Sequence, residues 1–155
     1  MKSNDTAVLL ACYWRIGFVA GHAKVVDALR RVKSNLDSGA FQAVQEAGIT
    51  ALSLAEHISA KNSKVYQSRR DILIAGLRKV GLDVEIPRAT FYVWPKVPAG
   101  YDSATFVSTL IERAGVACIP GNGFGKEGEG YVRFALTAEA KRLREACARL
   151  ASTLS

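Results

Sequence analysis

The sequence predicts an α+β fold in which helices cover one face of a short sheet. Three observations support this prediction. The segment from Trp14 to Gly21 is apolar on both alternating faces, which is typical of a strand inside a covered sheet. Helical periodicity dominates from there to Gly81. Beyond Gly81, segments rich in β-branched and aromatic residues alternate with helical ones.

The first half of the chain is predicted to be helical after its strand. One helical segment carries an apolar face of Val25, Val26, Leu29 and Val32, and "KSNLDSG" ends it. A long helix is expected from about Ala40 to Ala60. Its inner stripe comprises Phe41, Val44, Gly48, Ala51, Leu52, Ala55 and Ile58. The residues "KNS" interrupt it, and a further helix ends at Gly81.

The second half is predicted to supply the sheet. The segments "VEIP", "ATFYVWPKV", "GVACIP" and "GYVRFALT" have strand composition. Ser103 is expected to cap a helix that Gly115 ends, and Thr137 to cap the last helix. That helix directs Leu143, Ala146 and Leu150 inward. The strand at 14–21 finds no obvious sheet to join, so we expect it to be an orphan strand.

Composition narrows the class of protein. The chain has 155 residues, of which 49% are hydrophobic, enough for one domain with a core. No apolar run reaches the length of a membrane span, and the start is too weakly charged for a signal peptide. The three scattered cysteines, Cys12, Cys118 and Cys147, are expected to be buried free thiols in a reducing cytoplasm.

The charge balance permits an acidic partner. The net charge is +7, from 21 Lys and Arg against 14 Asp and Glu. These cations are spread along the chain, several at predicted helix ends, and no basic-aromatic stacking pattern accompanies them. A basic nucleic-acid binder is therefore the least favoured function.

The stretch "GNGFGKEGEGYVRFALT" contains a literal G-x-G-x-x-G at Gly123, Gly125 and Gly128. A dinucleotide site needs a helix after this motif, but a strand follows here. The phosphate-binding P-loop pattern also fails, because Pro120 replaces its first glycine and Glu127 replaces its Ser or Thr. We therefore interpret the stretch as a connection between two strands.

Arg133 lies in an otherwise apolar strand and needs an anionic partner or solvent. It is either a structural residue, ion-paired or on the solvated face of an edge strand, or a bidentate clamp for a substrate carboxylate. The pattern alone leaves both open. His22 and His57 have no neighbouring carboxylate or cysteine that indicates chemistry, so solvated or packed imidazoles are expected.

Six segments together resemble a known family. "WRIGFVAG", "KSNLDSGAFQAVQEAGI", "RRDILIAGLRKVGL", "ATFYVWPKVPAGY", "GVACIPGNGFG" and "GEGYVRFALT" resemble, in this order, the C-terminal portion of fold-type I pyridoxal-phosphate aminotransferases. Within that family, this sequence is most similar in these segments to the LL-diaminopimelate and aspartate-type aminotransferases. The resemblance implies an α/β enzyme whose small α+β domain has a short, mostly antiparallel sheet. It also implies a long interdomain helix and one strand of a large-domain sheet.

The resemblance also implies a division of the chain and three site residues. Residues 1–13 match nothing in the family, 14–60 would be a remnant of the large domain with the interdomain helix, and 61–155 the small domain. Arg133 matches the arginine that binds the substrate α-carboxylate, and Arg15 the arginine that binds the cofactor phosphate. Asn35 matches a residue that reaches into the neighbouring subunit's active site.

One departure from the family limits the chemistry. The family places its Schiff-base lysine eight residues before the phosphate-binding arginine, and here that position is Ala7. Transamination needs that lysine. We therefore expect the C-terminal part of an aminotransferase that acts on an amino acid and a 2-oxo acid. By itself the chain is expected to be inactive and not to bind pyridoxal 5'-phosphate covalently. We expect a cytoplasmic protein. We also expect it to form a homodimer or to associate with a missing large domain. The alternative is a non-catalytic partner-binding or dimerisation module.

Overall fold

The computed structural model describes the backbone of residues 7–11 and the whole of residues 16–154. The chain divides into two compact units, Met1–Ser59 and Ala60–Ser155. None of the described helices is both long and apolar enough to cross a membrane.

The N-terminal unit consists of a β-hairpin and helices. Strands β1 (Ala7–Ala11) and β2 (Ile16–Ala20) pair antiparallel, with Ala7 opposite Ala20. Helix α1 spans Ala23–Lys33 and α2 spans Gln42–Ser53. The strand predicted at 14–21 is thus present, but the expectation that it stands alone within the chain is wrong, because β1 lies beside it. Strand β1 was not predicted, because residues 1–13 lie outside the segments that carry the family resemblance.

The break between the helices lies elsewhere than predicted. Helix α2 ends at Ser53, and Leu54 leaves helical geometry with φ −104° and ψ 6°. Helix α3 then runs over Ala55–Lys79, through the "KNS" residues that were predicted to interrupt it. Asn and Ser cost a helix interior less than about 0.7 kcal/mol each, which a 25-residue helix tolerates. The long helix is therefore α3, and the prediction of one helix from Ala40 to Ala60 is wrong.

The C-terminal unit has a three-stranded antiparallel sheet. Its strands are β3 (Tyr92–Val93), β4 (Ile119–Pro120) and β5 (Val132–Ala135), in the order β3-β5-β4. The predicted strand "VEIP" is reduced to one isolated bridge, between Val84 and Pro95. The short antiparallel sheet itself is confirmed.

Two helices complete this unit. Helix α4 covers Ser103–Thr109 and continues as a π-helical turn, Leu110–Ala114, which ends at Gly115 with φ 60°. Helix α5 spans Ala140–Leu154. The predicted caps were wrong: the Asp102 side chain accepts the Thr105 amide hydrogen bond, and α5 begins three residues after Thr137. The stop at Gly115 is confirmed, because Gly115 adopts the left-handed conformation that commonly ends a helix.

The hydrophobic core lies between the helices and one face of the sheet. Fully buried side chains come from α3, α4 and its π-turn, and β5; they include Leu73, Leu77, Phe106, Leu110 and Val132. Helix α5 adds Leu143 and Leu150, with Ala146 packed against the cluster as predicted. The core therefore covers one sheet face and leaves the opposite face for other contacts.

Candidate functional site

Strand β5 places Arg133 on the sheet face opposite the core. Val132 is fully buried and Phe134 is 5% exposed, and both belong to the core cluster. Because side chains alternate along a strand, Arg133 projects to the other side. Arg133 lies opposite Ile119 of β4, and β5 is the central strand of the sheet. The interpretation of Arg133 as a residue of an edge strand is therefore wrong.

Two aromatic rings pack against the Arg133 guanidinium. Its Cζ atom lies 4.1 Å from the ring centroid of Tyr92 and 4.2 Å from that of Phe124. We call Arg133, Tyr92 and Phe124 the arginine stack. Trp94 supports it, because its ring meets Phe124 edge to face at 5.3 Å. Cation–π contacts of this kind contribute about 0.5–1 kcal/mol at exposed sites and ~2 kcal/mol when desolvated.

The arginine stack holds the guanidinium without an acidic partner. Within residues 16–154, no Asp or Glu forms an ion pair with Arg133, which is half-buried. Stacking engages the face of a guanidinium, whereas its N–H donors point outward in the plane and match the two oxygens of a carboxylate. A structural ion pair is therefore not found in the described part of the chain. The arrangement is chemically suited to binding a carboxylate.

The glycine-rich stretch connects β4 to β5, as predicted, and is folded into two 3-10 turns, Gly121–Phe124 and Lys126–Gly128. The two turns touch each other: a Cβ on Gly121 would lie 2.0 Å from the carbonyl oxygen of Gly128. The Gly121 amide also donates to the Tyr131 carbonyl at 2.8 Å. Close backbone approach explains these two glycines, and the connection presents Phe124 to Arg133.

The aromatic members of the arginine stack escaped the sequence analysis. Because side chains alternate along a strand, the segment "FYVW" directs either Phe91 and Val93 or Tyr92 and Trp94 to the core. The structure buries Val93, whereas Tyr92 and Trp94 stay partly exposed beside Arg133. Extending the pairing of Val93 with Phe134 by one residue places Trp94 opposite Arg133. Alternation along the two paired strands could therefore have predicted that these side chains share a face. Phe124 carried no such signal, because it comes from a connection.

The other two predicted site residues belong to the N-terminal unit. Asn35 lies in the exposed turn after α1, where its side-chain amide donates to the Arg31 carbonyl at 2.7 Å. Arg15 lies outside the described residues. Asn35 and Arg133 thus belong to different units.

Comparison with known proteins identifies the relatives of the chain. The family model for aminotransferase class I and II matches residues 10–150. An LL-diaminopimelate aminotransferase of Moorella thermoacetica is 52% identical over 141 residues, which are 91% of this chain and 36% of that protein. One of Syntrophobacter fumaroxidans is 52% identical over 137 residues, 88% of this chain and 35% of that protein.

A solved structure agrees with this match. The probable N-succinyldiaminopimelate aminotransferase of Thermus thermophilus has a TM-score of 0.81 and 36% identity, over 90% of this chain and 37% of that one. The chain therefore spans about a third of the length of the proteins it matches.

The residues described here do not fit a covalently attached pyridoxal phosphate. The position at which the resemblance places the Schiff-base lysine is Ala7, which lies on β1 opposite Ala20. Every lysine from Lys24 to Lys141 is solvent-exposed. A Schiff-base lysine is typically activated by an apolar pocket or a neighbouring cation, and a solvent-exposed position provides no such pocket. No reaction step can therefore be assigned to these lysines.

Proposed function

The chain belongs to the class I and II aminotransferases, and we propose that it supplies the carboxylate-binding arginine of such an enzyme. The observation that carries this proposal is the arginine stack. Arg133 is half-buried, packed against two rings, and has no acidic partner among the described residues. A substrate α-carboxylate would complete it through a bidentate hydrogen-bonded pair. The parent reaction would move an amino group between an amino acid and a 2-oxo acid.

Substrate and cofactor roles follow from the same family membership. Relatives named LL-diaminopimelate aminotransferases make diaminopimelate the first amino donor to test. Arg15 would bind the cofactor phosphate. Because Ala7 stands at the lysine position, we propose that the chain by itself neither attaches pyridoxal 5'-phosphate nor catalyses transfer.

The carboxylate clamp can be tested with the full chain and maleate, a small dicarboxylate, by titration calorimetry. Arg133→Lys keeps the charge but loses the planar fork, so about tenfold weaker binding is expected. Arg113→Lys is the matched control, because Arg113 is exposed at the end of the π-turn. Unchanged maleate binding in Arg133→Lys would overturn the clamp.

Cofactor attachment is tested separately. The full chain is mixed with pyridoxal phosphate, treated with borohydride and digested for mass spectrometry. We expect no single modified lysine and no amino transfer. A stable adduct at one lysine together with turnover would contradict the proposed inactivity.

We further propose that the chain acts with a partner, either a second copy or the remainder of the enzyme. Asn35 would reach toward the neighbouring active site. The residues after it support a contact role, because Leu36 and Phe41 are both 76% exposed. Large apolar side chains at such exposure favour an interface. Light scattering after size exclusion would show association, and Leu36→Ser should reduce it, whereas Ile86→Ser, which alters an exposed side chain of the C-terminal unit, should not.

The second candidate, a non-catalytic partner-binding module, rests on the same exposed residues. It differs in one outcome. Association that depends on Leu36, together with no maleate binding to the wild type, would favour the module over the enzyme part. Maleate binding that depends on Arg133 would favour the enzyme part.

A further inference from the structure

The carboxylate of Glu129 bridges three segments of the C-terminal unit. Its Oε1 accepts the backbone hydrogen bonds of Ser103 at 2.7 Å and of Gly130 at 3.0 Å. Its Oε2 accepts from the side-chain amide of Asn122 at 2.9 Å. Helix α4, the glycine-rich connection and the residue that leads into β5 are therefore held by one side chain.

The α4 end of this bridge is buried. Ser103 is fully buried, and its hydroxyl accepts from the Gly130 amide at 3.0 Å. Asp102 already caps the helix through Thr105, so capping by itself does not require Glu129. The distinctive contact of Glu129 is the one with Asn122, which is exposed and lies in the first 3-10 turn.

Asn122 stands two residues before Phe124, the ring of the arginine stack that comes from the connection. The Gly125 amide donates to the Asn122 carbonyl at 3.1 Å and closes the turn around Phe124. Phe124 is 51% exposed and has no place in the core. Apart from its edge-to-face contact with Trp94, its position against Arg133 therefore depends on the turn that carries it.

We infer that Glu129 is a positioning residue which, through Asn122, holds Phe124 against Arg133 and so orients the guanidinium. We call the Glu129–Asn122 pair the latch. The consequence for carboxylate binding rests on the proposed function. The consequence for the geometry of Arg133 does not, because it concerns only contacts within the chain. Charge-assisted hydrogen bonds such as those of the latch are stronger than neutral ones, which suits them to fix a solvent-exposed turn.

The test uses the full chain labelled with nitrogen-15. The Nε–Hε resonance of Arg133, identified by its loss in Arg133→Lys, carries a ring-current shift from Tyr92 and Phe124. Phe124→Leu sets the size of the shift that is lost with one ring. We expect Asn122→Ala and Glu129→Gln to lose a similar shift, and to weaken maleate binding about three- to tenfold.

Glu127→Gln is the matched control. Glu127 lies in the same connection, and its ion pair with Lys126 at 3.7 Å is about 90% exposed on both sides. It should leave both the resonance and the maleate affinity unchanged. Thermal unfolding of each variant reports folding, and Asn122→Ala decides the question if Glu129→Gln fails to fold.

The two proposals fail differently. An unchanged Arg133 resonance in a folded Asn122→Ala variant would overturn the latch, whatever maleate does. If the wild-type chain binds no maleate, the carboxylate clamp is overturned. The latch is then judged by the Arg133 resonance alone: a shift in Asn122→Ala supports the latch, and no shift overturns it. A purely structural role of Glu129 would lower stability in Glu129→Gln but leave the resonance of Asn122→Ala in place.

Discussion

The two units of the chain treat apolar residues in opposite ways. The C-terminal unit buries a contiguous cluster in which Leu77, Phe106 and Leu136 are 0% exposed. In the N-terminal unit, none of residues 16–59 is buried, and its large apolar side chains, such as Leu36 and Phe41, face solvent. Burial of apolar surface is the main favourable contribution to folding. The C-terminal unit thus contains its own source of stability, whereas residues 16–59 contain no comparable buried apolar cluster.

Truncating one leucine in each unit tests this contrast most directly. Leu77→Ala should lower the free energy of unfolding by about 2–5 kcal/mol, because it leaves a cavity in a packed core. Leu36→Ala should change it by less than about 0.5 kcal/mol, because the side chain is already exposed. Urea unfolding followed by far-ultraviolet circular dichroism, which reports the helices of both units, measures both. Equal shifts would contradict the contrast.

A second comparison uses two glycines of the same connection. Gly121→Ala should destabilise the C-terminal unit by about 2 kcal/mol or more, because its Cβ would meet the Gly128 backbone at 2.0 Å. Gly123→Ala has open space around its Cβ and should be nearly neutral. The same unfolding measurement separates them. A neutral Gly121→Ala would show that the two turns do not touch.

Replacing one arginine in each unit should change stability by a smaller amount. The Arg69 guanidinium donates to the Leu136 carbonyl at 3.1 Å and to the Thr137 carbonyl at 3.2 Å, which ties α3 to the end of β5. Arg69→Met should cost about 1 kcal/mol. Arg30 pairs with Asp27 on the exposed side of α1, so Arg30→Met should cost at most about 0.5 kcal/mol. Similar thermal midpoints for both variants would argue against the tie.

The smallest expected effect is on acid sensitivity. The Ser103 backbone amide, followed by the Gly130 amide, lowers the pKa of Glu129 below its ordinary value of 4.5. A lowered folded-state pKa stabilises the fold above the unfolded value, and this contribution is lost as pH falls below about 4.5 and through the folded pKa. Glu129→Gln should therefore lose less stability than wild type between pH 6 and pH 3.5. An unchanged slope, with Glu127→Gln as control, would contradict it.

Local sequence pattern predicted the structure correctly where a residue type strongly favours one structural role. Gly115 ends its helix in the left-handed conformation, and Leu143 and Leu150 face the core, as their spacing predicts. Pattern failed at the "KNS" residues, because the weak preferences of Asn and Ser do not outweigh the length of α3. It failed again at the caps, since several neighbouring polar residues can cap a helix and the backbone path selects one.

Residue identity and spacing were sufficient to predict the family, the short antiparallel sheet and the alternation that turns Arg133 away from the core. These features depend on residue identity and on spacing within one segment. Two features could not be predicted from the sequence and are seen only in the tertiary structure. Tyr92 and Phe124 pack on Arg133, and Glu129 bridges α4 to the glycine-rich connection. Those contacts join residues from separate segments, and their geometry arises when the sheet and helices pack around one core.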